Sequence, residues 1–168
     1  KELANCVVPK NNIFVQFDLN GAEIRTLIAI TSGEHPDEDV HEFHMKNIYR
    51  DLTTRDKAKK RFFAWLYNPN SEDYLTERYY NRDEVLKKYY VDGVVSTPLG
   101  RKINKFLKNS KSFVHSVVHD SLTIDLDLSD RHLLPQIQEI FEDTQLGWFR
   151  SSVHVGSNLR DLVEVSWS

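Results

Sequence analysis

Residues 13–25, IFVQFDLNGAEIR, constrain this chain more than any other stretch, because an apolar run there ends in a carboxylate and turns at once into a helix. Ile13, Phe14, Val15 and Phe17 predict a largely buried strand, and residues 22–30 (AEIRTLIAI) predict the helix behind it. Asp18 therefore stands at a strand end. Such an aspartate has two readings, the N-cap of the following helix or a metal ligand. A second hydrophobic run, residues 113–118, also ends in a carboxylate, at His119-Asp120. Two strand-end aspartates on neighbouring strands can converge on a divalent metal, and the sequence between them then has to supply the substrate site.

At 168 residues and 40% hydrophobic content the chain has a one-domain length and enough apolar side chains for a real core, which excludes a disordered protein. A formal net charge of -3 exerts no overall pull toward nucleic acid, so such a partner must be argued from local patches. Between residues 46 and 61, Lys46, Arg50, Arg55, Lys57, Lys59, Lys60 and Arg61 face only Asp51 and Asp56, and residues 87–111 are similarly biased. Acid is concentrated in 34–42 and 120–143. Cys6 is alone, which leaves no disulfide framework and points to a reducing, cytoplasmic compartment. The apolar runs are strand-sized, far short of the roughly 20 residues of a membrane span, and neither a membrane span nor a signal peptide is expected. Met45 is the only methionine, so a chain starting at Lys1 is expected to be a piece of something longer.

A loop through Gly33 and Pro36 leads into a helix expected over residues 40–49. His41 and His44 lie three apart on it. They admit a metal pair, although no third ligand follows in zinc-site spacing, as well as a capping or surface role and a contact from one histidine to an anionic ligand. Residues 54–67 begin with a capping threonine and run without Gly or Pro until Pro69, which predicts a helix. Arg55, Lys59, Phe63 and Tyr67 recur every four residues, so each sits only about 40° round from the last. One face thus carries two cations and then two rings, the chemistry a nucleoside triphosphate needs for its phosphates and its base. The plainer reading is a basic amphipathic helix whose aromatics are core and whose lysines are solvated.

Beyond Pro69, Tyr74, Tyr79, Tyr80, Tyr89 and Tyr90 stand among alternating charges and suggest one or two short helices. Residues 94–101, VVSTPLGR, predict a strand into a turn at Pro98-Leu99-Gly100, with Thr97 and Arg101 at its tip. Arg101, Lys102, Lys105, Lys108 and Lys111 then form a basic run, either a solvated face or a partner for a phosphate backbone. Residues 113–128 predict a hairpin with its turn at His119-Asp120-Ser121, where an Asp-Ser turn is the plain reading of Asp120. A helix is expected over 130–145, and the tail, 153–167, adds an edge strand or two. Three or four strands with helices on one face make an α+β sandwich.

Taken together these residues resemble the family A DNA polymerases of bacteria and phages. DLNGAEIR looks like the family's motif A, with Asp18 in the place of the first metal-binding aspartate and Glu23 in that of the glutamate that screens the sugar. RDKAKKRFFAWLY resembles motif B through Arg55, Lys59, Phe63 and Tyr67, and VHDS is similar to the motif C hairpin, with Asp120 as the second metal aspartate. Asp39-Val40-His41 stands where the family places a triphosphate-contacting histidine, and TPLGR resembles a DNA-contacting turn. VGSNLRDL is like the family's C-terminal stretch.

The resemblance implies transfer of a deoxynucleotide from a dNTP to a primer 3′-hydroxyl, with two Mg²⁺ ions on Asp18 and Asp120 and Mn²⁺ able to substitute. Arg55, Lys59 and His41 would meet the triphosphate, Lys59 also as proton donor to the leaving group. Phe63 and Tyr67 would stack on the nucleotide and template side, Glu23 would close the space of a 2′-hydroxyl, and Thr97, Arg101 and His119 would contact primer-template DNA. It implies a palm of residues 1–38 and 94–168 around a helical fingers region of 39–93. Ser121 departs from the usual glutamate and Asn68 from a usual glycine, which suggests a divergent, phage-like member. The interval 101–113 is too short for the long helix with which the family reads the minor groove, so that helix and the thumb are expected to be missing. A single-subunit RNA polymerase and a non-catalytic nucleic-acid-binding fragment are the alternatives.

Overall fold

The computed structural model describes residues 3–31, 36–68, 70–82 and 93–166, with the backbone alone for 30–31 and 93–97. Two compact units emerge, one from residues 1–22 with 92–168 and the other from 23–91.

The first unit is built on β1 (Ile13–Leu19), β2 (Phe113–Val118), β3 (Ser121–Leu126), β6 (Ser151–Gly156) and β7 (Val163–Val165). They form an antiparallel sheet of five strands in the order β2-β3-β1-β6-β7, while β4 (Asp143–Thr144) and β5 (Gly147–Trp148) make a separate short ribbon. Strand alternation decides which face is covered. Val15, Phe17 and Leu19 of β1, with Leu122, Ile124 and Leu126 of β3 and Val153 of β6, are buried in one core cluster. Helix α5 (Gly93–Phe106) adds Leu99 and Ile103 to that cluster, and helix α6 (Leu134–Glu142) adds Leu134, Ile137 and Phe141. The sandwich is thus α+β, with one strand more than the three or four expected.

The expected strand and turn over 94–101 are instead the first half of α5. Val94, Val95, Pro98 and Gly100 favour strand and turn locally, but Leu99, Ile103 and Leu107 recur every four residues, and only a helix turns that stripe onto the sheet. The helix keeps Pro98 in its interior and forgoes the hydrogen bond that its missing N–H would have made to residue 94. Gly100 explains the close approach, since a Cβ there would lie 2.8 Å from Cγ2 of Val117 on β2. The helix expected over 130–145 is shorter, because residues 128–133 are 3-10 and α6 begins at Leu134 with a proline in its first turn. Of the two strands in the tail only β7 is an edge, for β6 is interior, paired to β1.

In the second unit the described elements are helices: α1 (Ala22–Thr31) from Glu23 on, α2 (Val40–Asn47), α3 (Arg55–Tyr67) and the single turn α4 (Tyr74–Glu77). Ile24, Leu27 and Ile28 of α1 share a core with Val40, Ala58, Phe62, Trp65 and Leu66. Asp39 caps α2 and Asp73 caps α4, each accepting from two backbone N–H groups of its helix. Both caps are gripped by arginines of α3. Arg55 donates from Nε and Nη2 to the Asp39 carboxylate at 2.9 and 2.7 Å, and Arg61 donates from Nε and Nη2 to Asp73 at 2.6 and 3.2 Å. Arg61 also pairs with Asp51, and Lys46 with Glu38. The basic patch of 46–61 is therefore partly neutralised by acids from outside that window, which a linear count misses.

His41 and His44 are buried rather than on the surface, at 3% and 0% exposure. The His44 ring lies 4.7 Å from that of Phe62, and its Nε2 lies 2.9 Å from the Tyr80 hydroxyl, while the Nδ1 atoms of both histidines lack a hydrogen-bond partner. Burial, followed by the charge of its neighbour His41, pushes His44 down to about 3. Burial, followed by the positive field of Arg55, holds His41 at about 4. Tyr89 and Tyr90 lie outside the described residues.

Candidate active site

In the first unit Asp18 is a strand residue and not a helix cap. Strand β1 continues through Leu19, and a turn at Asn20-Gly21, with Gly21 at φ 64°, precedes α1. Asp18 faces Ser121 of β3 on one side and Ser152 of β6 on the other. The strand pairing Val118↔Ser121 leaves His119 and Asp120 as a two-residue hairpin turn. The Leu19 N–H donates to the Asp120 carbonyl at 3.1 Å, so the turn is tied directly to the residue after Asp18. Register alone thus brings the two strand-end aspartates together. Ser121 closes the same turn, its hydroxyl donating to the Val118 carbonyl at 3.0 Å.

His119 adopts φ 53°, a left-handed conformation uncommon outside glycine, asparagine, aspartate and histidine. Residues of this kind gather where surrounding structure over-determines them.

The electrostatics of the pair follow from that placement. Burial, then the negative charge of Asp120, raises the Asp18 carboxyl above its ordinary value, and His154 partly opposes the shift. Alternation explains why His154 acts there. Gln16 and Asp18 of β1, Thr123 and Ser121 of β3, and His154 and Ser152 of β6 are register partners on the sheet face opposite the core. Gln16 donates to the Thr123 hydroxyl at 3.4 Å, and Nδ1 of His154 is buried without a hydrogen-bond partner. Sequence reasoning did not single out His154. Its signal was a polar residue at the outward phase of the alternating Val153-His154-Val155.

Among the described residues no group of three or more His, Cys, Asp or Glu is arranged to hold a metal ion, and this includes the His41-His44 pair. Two carboxylates repelling one another fit a hard divalent cation that keeps water and takes its remaining oxygens from a substrate's phosphates, the usual habit of Mg²⁺.

In the second unit the four-residue stripe of α3 is present as its spacing predicts. Arg55 and Lys59 are exposed, Phe63 is half-buried, and Tyr67 is 52% exposed. The Phe63 and Tyr67 rings stack, with centroids 5.6 Å apart and planes 5° from parallel. His41 joins them, its ring 5.8 Å from that of Phe63. Tyr67 donates its hydroxyl to Oε2 of Glu23 at 3.0 Å, which links α1 to α3 within this unit. Lys59 makes no ion pair among the described residues, whereas Arg55 is engaged by Asp39. Asp39 was not foreseen as a partner, because a cap aspartate 16 residues away on another helix leaves no pattern in the sequence.

Arg101 is exposed on α5, not at the tip of a turn, and the side chain of Thr97 lies outside the described residues. No helix among the described residues is long and apolar enough to cross a membrane.

No protein-family model matches the chain, and no curated protein sequence matches it. Among solved structures the fold is similar to the polymerase domain of Pol1 from M. smegmatis, solved in complex with DNA primer-template and dNTP. The TM-score is 0.59 at 14% sequence identity, over 93% of this chain and 42% of that one. The chain therefore spans less than half the length of the structure it resembles and has a DNA polymerase-like α+β fold.

Proposed function

We propose that this chain carries the nucleotidyl-transfer core of a template-directed DNA polymerase of the family A type. The observation that carries the reading is the strand register that sets Asp18 beside the Asp120 hairpin on an antiparallel sheet of polymerase-like fold. The first unit takes the palm role and the second the fingers role.

Asp18 and Asp120 would hold two Mg²⁺ ions, or Mn²⁺ in their place. When bound, these supply charge neutralisation at the primer 3′-oxygen and at the phosphates. The chain's own residues divide the rest. Lys59, with no ion pair among the described residues, binds the triphosphate; as the primer 3′-oxygen loses its proton to solvent and bonds to the α-phosphorus, the bond from that phosphorus to the bridging oxygen breaks and Lys59 gives its Nζ proton to the leaving pyrophosphate. Arg55 borders the same phosphates with its guanidinium already oriented by Asp39, and His41, buried beside the Phe63 ring, packs behind them. The stacked Phe63 and Tyr67 present a flat apolar surface to the base. Glu23, held by the Tyr67 hydroxyl, forms the wall that a 2′-hydroxyl would strike, so deoxynucleotides are preferred. Thr97, Arg101 and His119 contact the primer-template.

Primer extension on a short primer-template with Mg²⁺, comparing dNTPs with rNTPs and the parent with Asp120→Ala, tests the reading. Extension by dNTPs alone, lost in the variant, is the expected result. Extension that survives Asp120→Ala would overturn it. The 42% coverage of the similar structure favours one second reading, a DNA-binding portion that extends primers only when joined to further chain. Metal-independent DNA binding without extension would select it.

A further inference from the structure

In the second unit, the turn that follows α2 and the segment from α4 to Tyr79 line a cavity of about 510 Å³, within the roughly 300–1,000 Å³ of small-molecule sites. Its walls differ in character. Ile48, which is buried, Leu75 and the 54% exposed Tyr79 give it an apolar side, and the Tyr79 hydroxyl donates to the Asn47 carbonyl at 3.1 Å, which ties the two segments together. Arg50 and Arg78 give it a cationic side, and both are exposed. Among the described residues neither guanidinium has an acid or a hydrogen-bond acceptor, and that of Arg78 lies over the Tyr74 ring, 5.8 Å from its centroid. Asp51 also lines the cavity, but its carboxylate is engaged by Arg61 at 3.3 Å.

The geometry of α3 separates this cavity from the stripe of Arg55, Lys59, Phe63 and Tyr67. Arg61 stands two residues, about 200° of helical turn, from both Lys59 and Phe63, so it leaves α3 on the side opposite that stripe. The cavity beside Asp51 therefore lies across α3 from the surface assigned to the incoming nucleotide, and a ligand bound in it leaves that surface free.

We propose that the cavity is a second ligand site, for a 5′-mononucleotide, with the phosphate on Arg50 and Arg78 and the base against Tyr79 and Leu75. Two guanidiniums match the charge of about -1.5 to -2 that a phosphate monoester carries at pH 7, and their forked N–H donors suit its oxygens. The aromatic ring and aliphatic side chains beside them suit a flat heterocycle. A bounded volume with two free cations fits one nucleotide rather than a chain of phosphates or a run of acidic residues. The site stands independently of the polymerase reading, because neither the paired aspartates nor the stripe takes part in it.

The test is isothermal titration calorimetry of the full chain without divalent metal, using 5′-AMP, adenosine, inorganic phosphate and a hexaglutamate peptide as separate titrants. 5′-AMP should bind more tightly than the other three. Arg50→Gln and Arg78→Gln, both changes of exposed side chains, should each weaken it by about tenfold or more, the loss of one charge-assisted contact. Tyr79→Ala should weaken 5′-AMP and leave inorganic phosphate unchanged, whereas Tyr79→Phe, which keeps the ring, should bind as the parent does. Lys59→Gln, on the opposite side of α3, should also leave 5′-AMP binding in place. Absence of 5′-AMP binding, or binding indifferent to both arginines, overturns the site, and so does a loss seen in Lys59→Gln instead. Inorganic phosphate bound as tightly as 5′-AMP, or the acidic peptide bound more tightly, overturns the mononucleotide as its ligand. Should Arg78→Gln disturb the fold, Arg50→Gln, in a turn outside any helix, decides alone.

Discussion

His44 and His41 make the second unit acid-sensitive in a way that can be worked through. Both are buried neutral, at about 3 and about 4 against an ordinary 6.5, so the folded unit refuses protons that the unfolded chain accepts. The stability they contribute is complete above pH 6.5 and declines as pH falls toward the folded values, because only the unfolded state gains the proton in that window. Each pH unit below 6.5 costs about 1.4 kcal/mol per histidine, so at pH 5 the pair removes about 4 kcal/mol, a large share of the roughly 5–15 kcal/mol that holds a domain together. His44→Gln keeps a polar group for the Tyr80 hydroxyl and cannot titrate, so it should recover about half of that loss. Urea unfolding at pH 7.5 and pH 5, followed by the fluorescence of the buried Trp65, measures it within this unit. Equal losses between the two pH values in parent and variant would refute the argument, since carboxylate titration is common to both.

Three further outcomes are expected. Asp120→Asn removes the charge that helps raise Asp18, so the Asp18 carboxyl should titrate lower by carboxyl-carbon NMR, though not to its ordinary value because burial, the larger cause, remains. Arg61→Ala strips the guanidinium from the buried cap Asp73 and should destabilise the second unit by about 1–3 kcal/mol in urea titrations, against less than about 1 kcal/mol for Asp51→Ala at the exposed end of the same arginine. Tyr67→Phe frees Glu23 with little change in stability. The ratio of ribonucleotide to deoxynucleotide incorporation should rise in single-turnover extension, and an unchanged ratio would separate Glu23 from sugar selection.

How much was legible depended on whether a pattern was local. The strand carrying Asp18, the hairpin carrying Asp120 and the four-residue stripe of α3 are each written in consecutive residues, and all three appear where expected. Residues 94–101 misled because valine, proline and glycine speak for a strand and turn over a short window. The stripe that makes them helical extends past them to Leu107, and its partner surface, Val114 and Val117, comes later still. The grip of Arg55 on Asp39 and of Arg61 on Asp73 was illegible for a different reason. Each is a pairing between helices, and charge counted along the chain cannot tell a solvated arginine from one that holds a cap. His154 reached the neighbourhood of Asp18 only through the register of β6 on β1.

Strand β1 sits in the middle of its sheet, yet both its neighbours come more than a hundred residues later, β3 at Ser121–Leu126 and β6 at Ser151–Gly156. The second unit, by contrast, is one continuous stretch. Closing loops of that length makes the sheet the slow partner in folding, with the helical unit able to form while β1 still waits. During synthesis Asp18 is made more than a hundred residues before Asp120 and stays apart from it until that late closure, so a chain caught part-way through folding already has its α3 helix but not its paired carboxylates.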